Sequence, residues 1–302
     1  MLVLAGSWVA GRVGDEFDLS NRSVPLEQIE WGGPGKDGIP AILNPHFVRA
    51  TQASFLKNED RILGIAKGGE AKAYPIKILN WHEIVNDTLA GKPILVTYCP
   101  LCGTGIGFTP VLNGRVLTFG VSGLLYQSDL VMYDHQTESL WSQISMEAIA
   151  GPMTGAKLRH IFLDHTTWAE WKREHPNTLV LSADTGHDRD YGRDPYENYA
   201  QRRDLMFDVT NFDPTYHPKS WVVGVEVGGT EKAYAFTELE KLGLTGALTD
   251  QVNGRTIQVH FDGEARSAWV TDEDGRPLPS VMAFWFAWYA FHPDTQVYTV
   301  PN

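Results

Sequence analysis

The chain has 302 residues, of which 43% are hydrophobic and 21% charged, and its formal net charge is -12. Such a chain can bury a large core without cross-links, and its acidity argues against nucleic acid as a partner, because like charges repel the phosphate backbone. No apolar run is long enough to form a transmembrane segment.

The opening "MLVLAGSWVAG" is apolar, short and free of basic residues. It reads either as the trimmed remnant of a signal peptide or as an ordered N-terminal segment. Residues 22–48 are rich in Gly and Pro without sustained periodicity, which predicts an extended arm, here bounded at 1–59. From Arg61 the pattern becomes regular. "ILGIAKGGEAKAYPI" predicts a β-hairpin turning at Gly68-Gly69, and Pro75 opens a short helical turn through Leu79. "HEIVNDTLAGKPILVTY" predicts two more strands turning at Gly91. "NGRVLTFGVSG" and "SDLVMYDHQTESLWSQ" read as further strands, and "TTWAEWKREHPNTLVLS" as a helix ended near Pro176.

The chain also repeats itself. "ILGIAKGGEAKAYPIKIL" matches "VVGVEVGGTEKAYAFTEL" without a gap, "VNDTLAGKPILVTY" matches "LTDQVNGRTIQVHF", and "WAEWKREHPNTLV" matches "WFAWYAFHPDTQV", in the same order. The expected fold is therefore α+β, predominantly antiparallel β, with two unequal internal repeats at 60–200 and 201–302 forming barrel-like or roll-like halves. The copies differ at one telling place. "YCPLCG" aligns with "FDGEAR", so Cys99 falls opposite Asp262 and Cys102 opposite Ala265. A scaffold shared by both copies does not demand a cysteine pair found in one.

Cys99 and Cys102 are the only cysteines. Two thiolates two residues apart can clamp one soft ion, copper or zinc, but this chain has no second pair to complete a zinc ribbon. Further ligands would come from His82, in "NWHEIVND", with His135 and Met132, in "VMYDHQT", as weaker choices. Alternatively the pair is a redox dithiol, although the Gly-rich, β-branched sequence that follows does not continue as the helix of a thioredoxin fold. A third reading makes Cys99 a catalytic nucleophile with His82 as base and Glu83 or Asp87 orienting it. A fourth is a non-catalytic binding module with a structural Cys99–Cys102 disulfide. Two further polar stretches stand out. "FGVSGLLYQSD" sets Ser122, Tyr126, Ser128 and Asp129 in a loop able to line a pocket. "DTGHDRDYGRDPYENY" gathers His187, Arg189, Tyr191, Arg193 and Tyr196 in a segment that would cap a cleft, bind an anion or lie as a lid on the protein's own surface.

"AYPIKILNWHEIVNDTLAGKPILVTYCPLCGTGIGF", "LTFGVSGLLYQSDLVMYD", "SLWSQ", "AIAGPMTGAKL" and "TG…YGRDPYENY" closely resemble the domain-of-unknown-function family 3179, from about Asp18 to Tyr298. The resemblance implies an extracytoplasmic home and carries no established activity. His82, Cys99 and Cys102 fall in its best-defined blocks. Where the family pattern expects "MYDR" this chain has "MYDH", a departure at His135 that is either an additional ligand or neutral.

Overall fold

The structure, a computed structural model, describes residues 16–243 and 245–301. The apolar opening segment at 1–11 lies outside the described residues.

Among the described residues its strands form six sheets, five of them arranged as the blades of a β-propeller and the sixth a two-stranded ribbon of Val111–Leu112 with Arg115–Val116, with few and short helices. Blade one orders Asp164–Thr167, Arg61–Lys67, Glu70–Pro75, Leu179–Leu181 and Phe47–Arg49. Blade two orders Arg159–Ile161, Thr104–Thr109, Lys92–Cys99 and Ile84–Leu89. Blade three orders Ile29–Trp31, Phe119–Tyr126, Asp129–Asp134, Leu140–Ser142 and Glu147–Ala150. Blade four orders Ser280–Phe284, Trp221–Val227, Thr230–Ala235 and Gln296–Tyr298, and blade five Thr245–Val252, Arg255–Asp262 and Ser267–Asp272. The expected barrel-like or roll-like halves are not what forms. Each hairpin block is completed by one to three further strands, several of them from distant parts of the chain, so the sheets stay small and open and pack against one another instead of closing on themselves. The N-terminal segment contributes a strand to blade one and another to blade three.

The matched sequence blocks adopt matched structures. In blade one the antiparallel pair Ile62↔Pro75 to Lys67↔Glu70 is flanked by an antiparallel strand at 164–167 and a parallel one at 179–181. Blade four repeats this with Val222↔Ala235 to Val227↔Thr230, flanked antiparallel at 280–284 and parallel at 296–298. Between the flanking strands lie helices Trp168–Glu174 and Trp285–Phe291. Each lays an indole on a strand glycine. A Cβ at Gly64 would sit 2.5 Å from the Trp171 ring, and one at Gly224 2.3 Å from the Trp288 ring. Both indoles donate, at 3.0 Å, to a threonine hydroxyl seven residues on, Thr178 and Thr295. Tyr74 donates to Asp87 and Tyr234 to Asp250, while Lys72 and Lys232 pair with the same carboxylates. Two buried indoles of this kind contribute about 3–5 kcal/mol each.

Blade three has no counterpart in the second copy. It occupies the long stretch between the second and third matched blocks of the first copy. Its Trp141, Phe119 and Met132 share one core with Leu101, Cys99 and Cys102 of blade two and Phe284, Trp285 and Trp288 from blade four and its helix.

Candidate metal centre

The site begins with two tight turns that meet. In blade two the last registered pair is Cys99↔Thr104, so Pro100, Leu101, Cys102 and Gly103 make the turn. Gly103 has φ +63°, and a Cβ there would lie 2.8 Å from the Trp221 ring, so the turn needs glycine on both counts. In blade three Tyr126 pairs with Asp129, leaving Gln127 and Ser128 as a two-residue loop with φ 54° and 62°. Positive φ at both positions is the demand of a type I′ hairpin, normally met by Asn-Gly. Here a Gln-Ser pair holds it. The Gln127 side chain is tied to Thr210 through both its amide and its carbonyl, at 2.8 and 2.7 Å.

These turns bring together Cys99, Cys102 and Asp129. Their sulfur and oxygen atoms lie within 4.8 Å of one another and all three residues are buried. Both cysteines are free thiols and form no disulfide. The Cys102 thiol faces the Ser128 carbonyl at 3.4 Å. Asp129 accepts from the Ile144 amide at 3.0 Å through one oxygen, and the other oxygen has no hydrogen-bond partner. Gln143 locks the two blades, donating to the Thr97 hydroxyl at 2.8 Å and the Thr104 carbonyl at 3.2 Å.

The electrostatics of the trio are one-sided. Burial pushes the Asp129 carboxyl up to about 7, against the pull of the Ile144 and Leu130 amides and of the two thiols. Burial also raises both thiols, Cys102 well above its ordinary value. The adjacent Glu83 carboxyl is pushed up to about 8, first by burial and then by the Asp129 charge. Four acidic groups are thus buried together, and none of the ion pairs among the described residues brings a lysine or arginine to Glu83 or Asp129. Uncompensated buried charge is costly, so these groups either hold their protons or exchange them for a cation.

The other expected residues sit elsewhere around this centre. His82 ends helix Ile76–His82 and is not one of the converging trio. Its Nδ1 donates to the Pro40 carbonyl at 2.7 Å, which leaves Nε2 to accept from the Tyr191 hydroxyl at 2.6 Å. The imidazole is held neutral. Burial lowers it to about 4, outweighing the Pro40 carbonyl, and His187 and Arg189 lower it further. Glu83, next in the chain, turns the opposite way through a backbone with φ +57° and reaches the trio's field, with its own carbonyl accepting from the Tyr98 amide at 2.7 Å. A catalytic thiol needs a lowered pKa, whereas the Cys99 thiol is held protonated by burial. His135 stacks on Tyr133 with centroids 5.1 Å apart and lines a separate cleft of about 340 Å³ with Asp37, Thr185 and His187. Asp87 is committed to Lys72 and Tyr74. Met132 is buried in the shared core, and Ser122 bonds the Val131 carbonyl across a bulge in blade three. The Asp-rich stretch after Thr185 behaves as a lid. Tyr191 covers His82, and Arg193 and Asp194 hold Trp81 and Asn80.

The sequence places Asp129 in a pocket-lining loop and does not announce that it meets the two cysteines. The signal for Asp129 was the "YQSD" hairpin, whose strained loop lacks the usual Asn-Gly; strain of this kind collects at functional sites.

The family model described as "Protein of unknown function (DUF3179)" matches residues 36–295. The chain belongs to that family. No curated protein and no solved structure matches the chain.

Proposed function

We propose that this member of the family is a metal–thiolate protein in which Cys99, Cys102 and Asp129 hold one transition-metal ion. The observation that carries the reading is the convergence of three buried acidic donors with no cation to offset them. An ion would replace their protons and supply the missing charge. Two soft sulfurs with one hard oxygen suit zinc, a borderline ion, better than copper(I), which prefers an all-soft set. The ion would be held between blades two and three, so it would also pin the blade that only the first copy possesses. In the extracytoplasmic setting implied by the resemblance, such an ion would keep the two thiols from oxidising to a disulfide.

The test is elemental analysis of protein purified under reducing conditions, with a free-thiol count. We expect about one ion per chain in the wild type and none in the Cys99→Ser/Cys102→Ser double variant. Asp129→Ala should weaken zinc by at least about 10–100-fold, the range known for lesser, outer-shell partners. Because the donors must shed protons to bind, affinity should fall as pH falls. A double variant with unchanged metal content would refute the assignment.

A further inference from the structure

A cleft of about 650 Å³ opens where blades one, two and five meet. That volume lies within the range of small-molecule sites. Ile65 of blade one, Leu89, Ile94 and Ile161 of blade two and the adjoining Phe162 line it with apolar surface. Val111, on the two-stranded ribbon, also lines it and is 39% exposed. Pro277, which bridges to Thr271 of blade five, completes the lining.

The same cleft carries cations. Lys67, Lys92 and Arg159 all line it, and all three are exposed. Lys67 precedes the hairpin turn of blade one, and Lys92 follows that of blade two. These two turns touch. A Cβ on Gly68 would sit 3.0 Å from the Ala90 Cβ, and the Ala90 amide donates to the Glu70 carboxylate at 2.8 Å. Nearby lysines are neutralised, Lys72 by Asp87 and Lys77 by Asp60. None of the ion pairs among the described residues involves Lys67, Lys92 or Arg159, and Arg159 donates instead to the Thr109 hydroxyl at 3.0 Å. The chain has 37 acidic residues against 25 basic ones. Three cations left without a carboxylate along one apolar cleft thus make a local field opposite in sign to the net charge.

The second copy shows that the scaffold does not require a lysine here. Ile65, Lys67, Leu89 and Ile94 correspond in the matched blocks to Val225, Val227, Val252 and Ile257. Those four counterparts share one core, and Val227 is only 5% exposed. The backbone register is the same, Lys67↔Glu70 against Val227↔Thr230. Where the second copy packs a valine, the first sets an exposed ammonium beside an apolar wall.

We infer that this cleft binds an amphipathic monocarboxylate, its apolar body against Ile65, Ile94 and Ile161 and its carboxylate among Lys67, Lys92 and Arg159. An inorganic anion would leave the walls unused, and a neutral apolar molecule would leave the cations unused. The Arg159 guanidinium is a planar fork that matches a carboxylate through two hydrogen bonds. Asp164 is the one carboxyl among the residues that line the cleft. Burial raises it to about 7, so at pH 6 it is mostly protonated and offers a hydrogen-bond donor in place of a repelling charge. The site uses no residue of the metal centre and stands apart from that reading.

The experiment is a calorimetric titration of the full chain with decanoate, at pH 6, low salt and below the concentration at which decanoate aggregates. We expect saturation at about one decanoate per chain. Octanoate should bind about 10-fold more weakly, because two buried methylenes are lost. Decylamine, with the same tail and a cationic head, should also bind at least about 10-fold more weakly than decanoate. The triple variant Lys67→Gln/Lys92→Gln/Arg159→Gln should lose about 10-fold in decanoate affinity, and added salt should weaken the wild type toward it. All three positions are exposed, so the variant should unfold at the same denaturant concentration as the wild type. Decylamine binding as tightly as decanoate would defeat the recognition by cations, and that comparison needs no variant. Undiminished affinity in the triple variant would move the ligand away from this cleft and overturn the assignment. No saturable uptake of decanoate, or equal affinity for octanoate, would end the proposal outright.

Discussion

The turn at 99–104 and its counterpart at 262–267 share one backbone and solve it with different chemistry. Each joins two antiparallel strands through four residues, closing on Cys99↔Thr104 in blade two and Asp262↔Ser267 in blade five. Each ends on a residue of positive φ, Gly103 at 63° and Arg266 at 48°. In blade five the Asp262 carboxylate accepts the amides of Glu264 and Ala265, both at 2.9 Å, and satisfies the turn by itself. In blade two the Cys99 sulfur takes that place, with the Cys102 amide directed at it. The decisive difference lies outside the turn. Blade two faces blade three, whose hairpin delivers Asp129 to the two sulfurs, and the second copy has no such blade. The centre therefore belongs to the seam created by the additional blade, and the turn that carries the cysteines is scaffold in both copies.

If the copies are equivalent as scaffolds, their indoles should weigh alike. Trp171→Ala and Trp288→Ala each remove a fully enclosed ring that covers a strand glycine and leave a threonine hydroxyl without its donor. Each should cost about 3–5 kcal/mol, read from denaturant midpoints at constant m-value. A cost below about 1 kcal/mol for one and the full cost for the other would break the equivalence.

Much of this comparison was legible in the sequence because it is local. Gly68-Gly69, Gly91 and Pro75 mark turns and a helix start that act among neighbours in the chain, and the Trp-x-x-Trp-x-x-x-His-Pro block marks indoles whose threonine partners lie seven residues on, although the glycines they cover are distant. The cysteine pair stood out because the second copy lacks it. What the sequence hid is non-local. Blades pack through faces whose partners are set by the whole ring, so small closed barrels and separate blades read alike. The meeting of Asp129 with Cys102 depends on Gln143 bridging to Thr97 and Thr104, a contact that no periodicity announces. His82 shows the other failure. The register Ile84↔Thr97 does carry the chain past the end of the Cys99 strand. One residue then decides which side chain faces the sulfurs, and the positive φ at Glu83 sends His82 to Pro40 and Tyr191.

The flanking strands of blades one and four differ in a way that pH can expose. Asp164 pairs with Gly64 at the position where Val281 pairs with Gly224. Burial raises the Asp164 carboxyl to about 7, with Glu174 adding to it. A carboxyl with a raised folded-state pKa leaves the protein most stable below its unfolded value near 4 and lowers stability as pH rises toward 7, because the unfolded chain ionises first. Asp164→Asn should remove that part of the decline, a difference on the order of 2 kcal/mol between pH 4 and pH 7. Identical pH profiles for variant and wild type would show that this strand tolerates the charge as easily as solvent does.

The smallest expected effect tests the turns themselves. Asp262→Ala deletes two backbone-directed hydrogen bonds at a partly exposed turn and should cost about 1 kcal/mol, as loss of a comparable cap does. That cost should be the same with zinc or with a chelator, since blade five has no part in the centre. Cys99→Ser should behave in the opposite manner. In the metal-free protein a serine hydroxyl can still accept the amide that the sulfur faced, so the loss should stay within about 1 kcal/mol. Zinc should then raise the unfolding midpoint of the wild type and of Asp262→Ala alike, through preferential binding to the folded state, and leave Cys99→Ser where it was. Should zinc stabilise Cys99→Ser as much as the wild type, the sulfur in blade two would be a turn cap of the same kind as Asp262, and the difference between the two copies would lose its functional meaning.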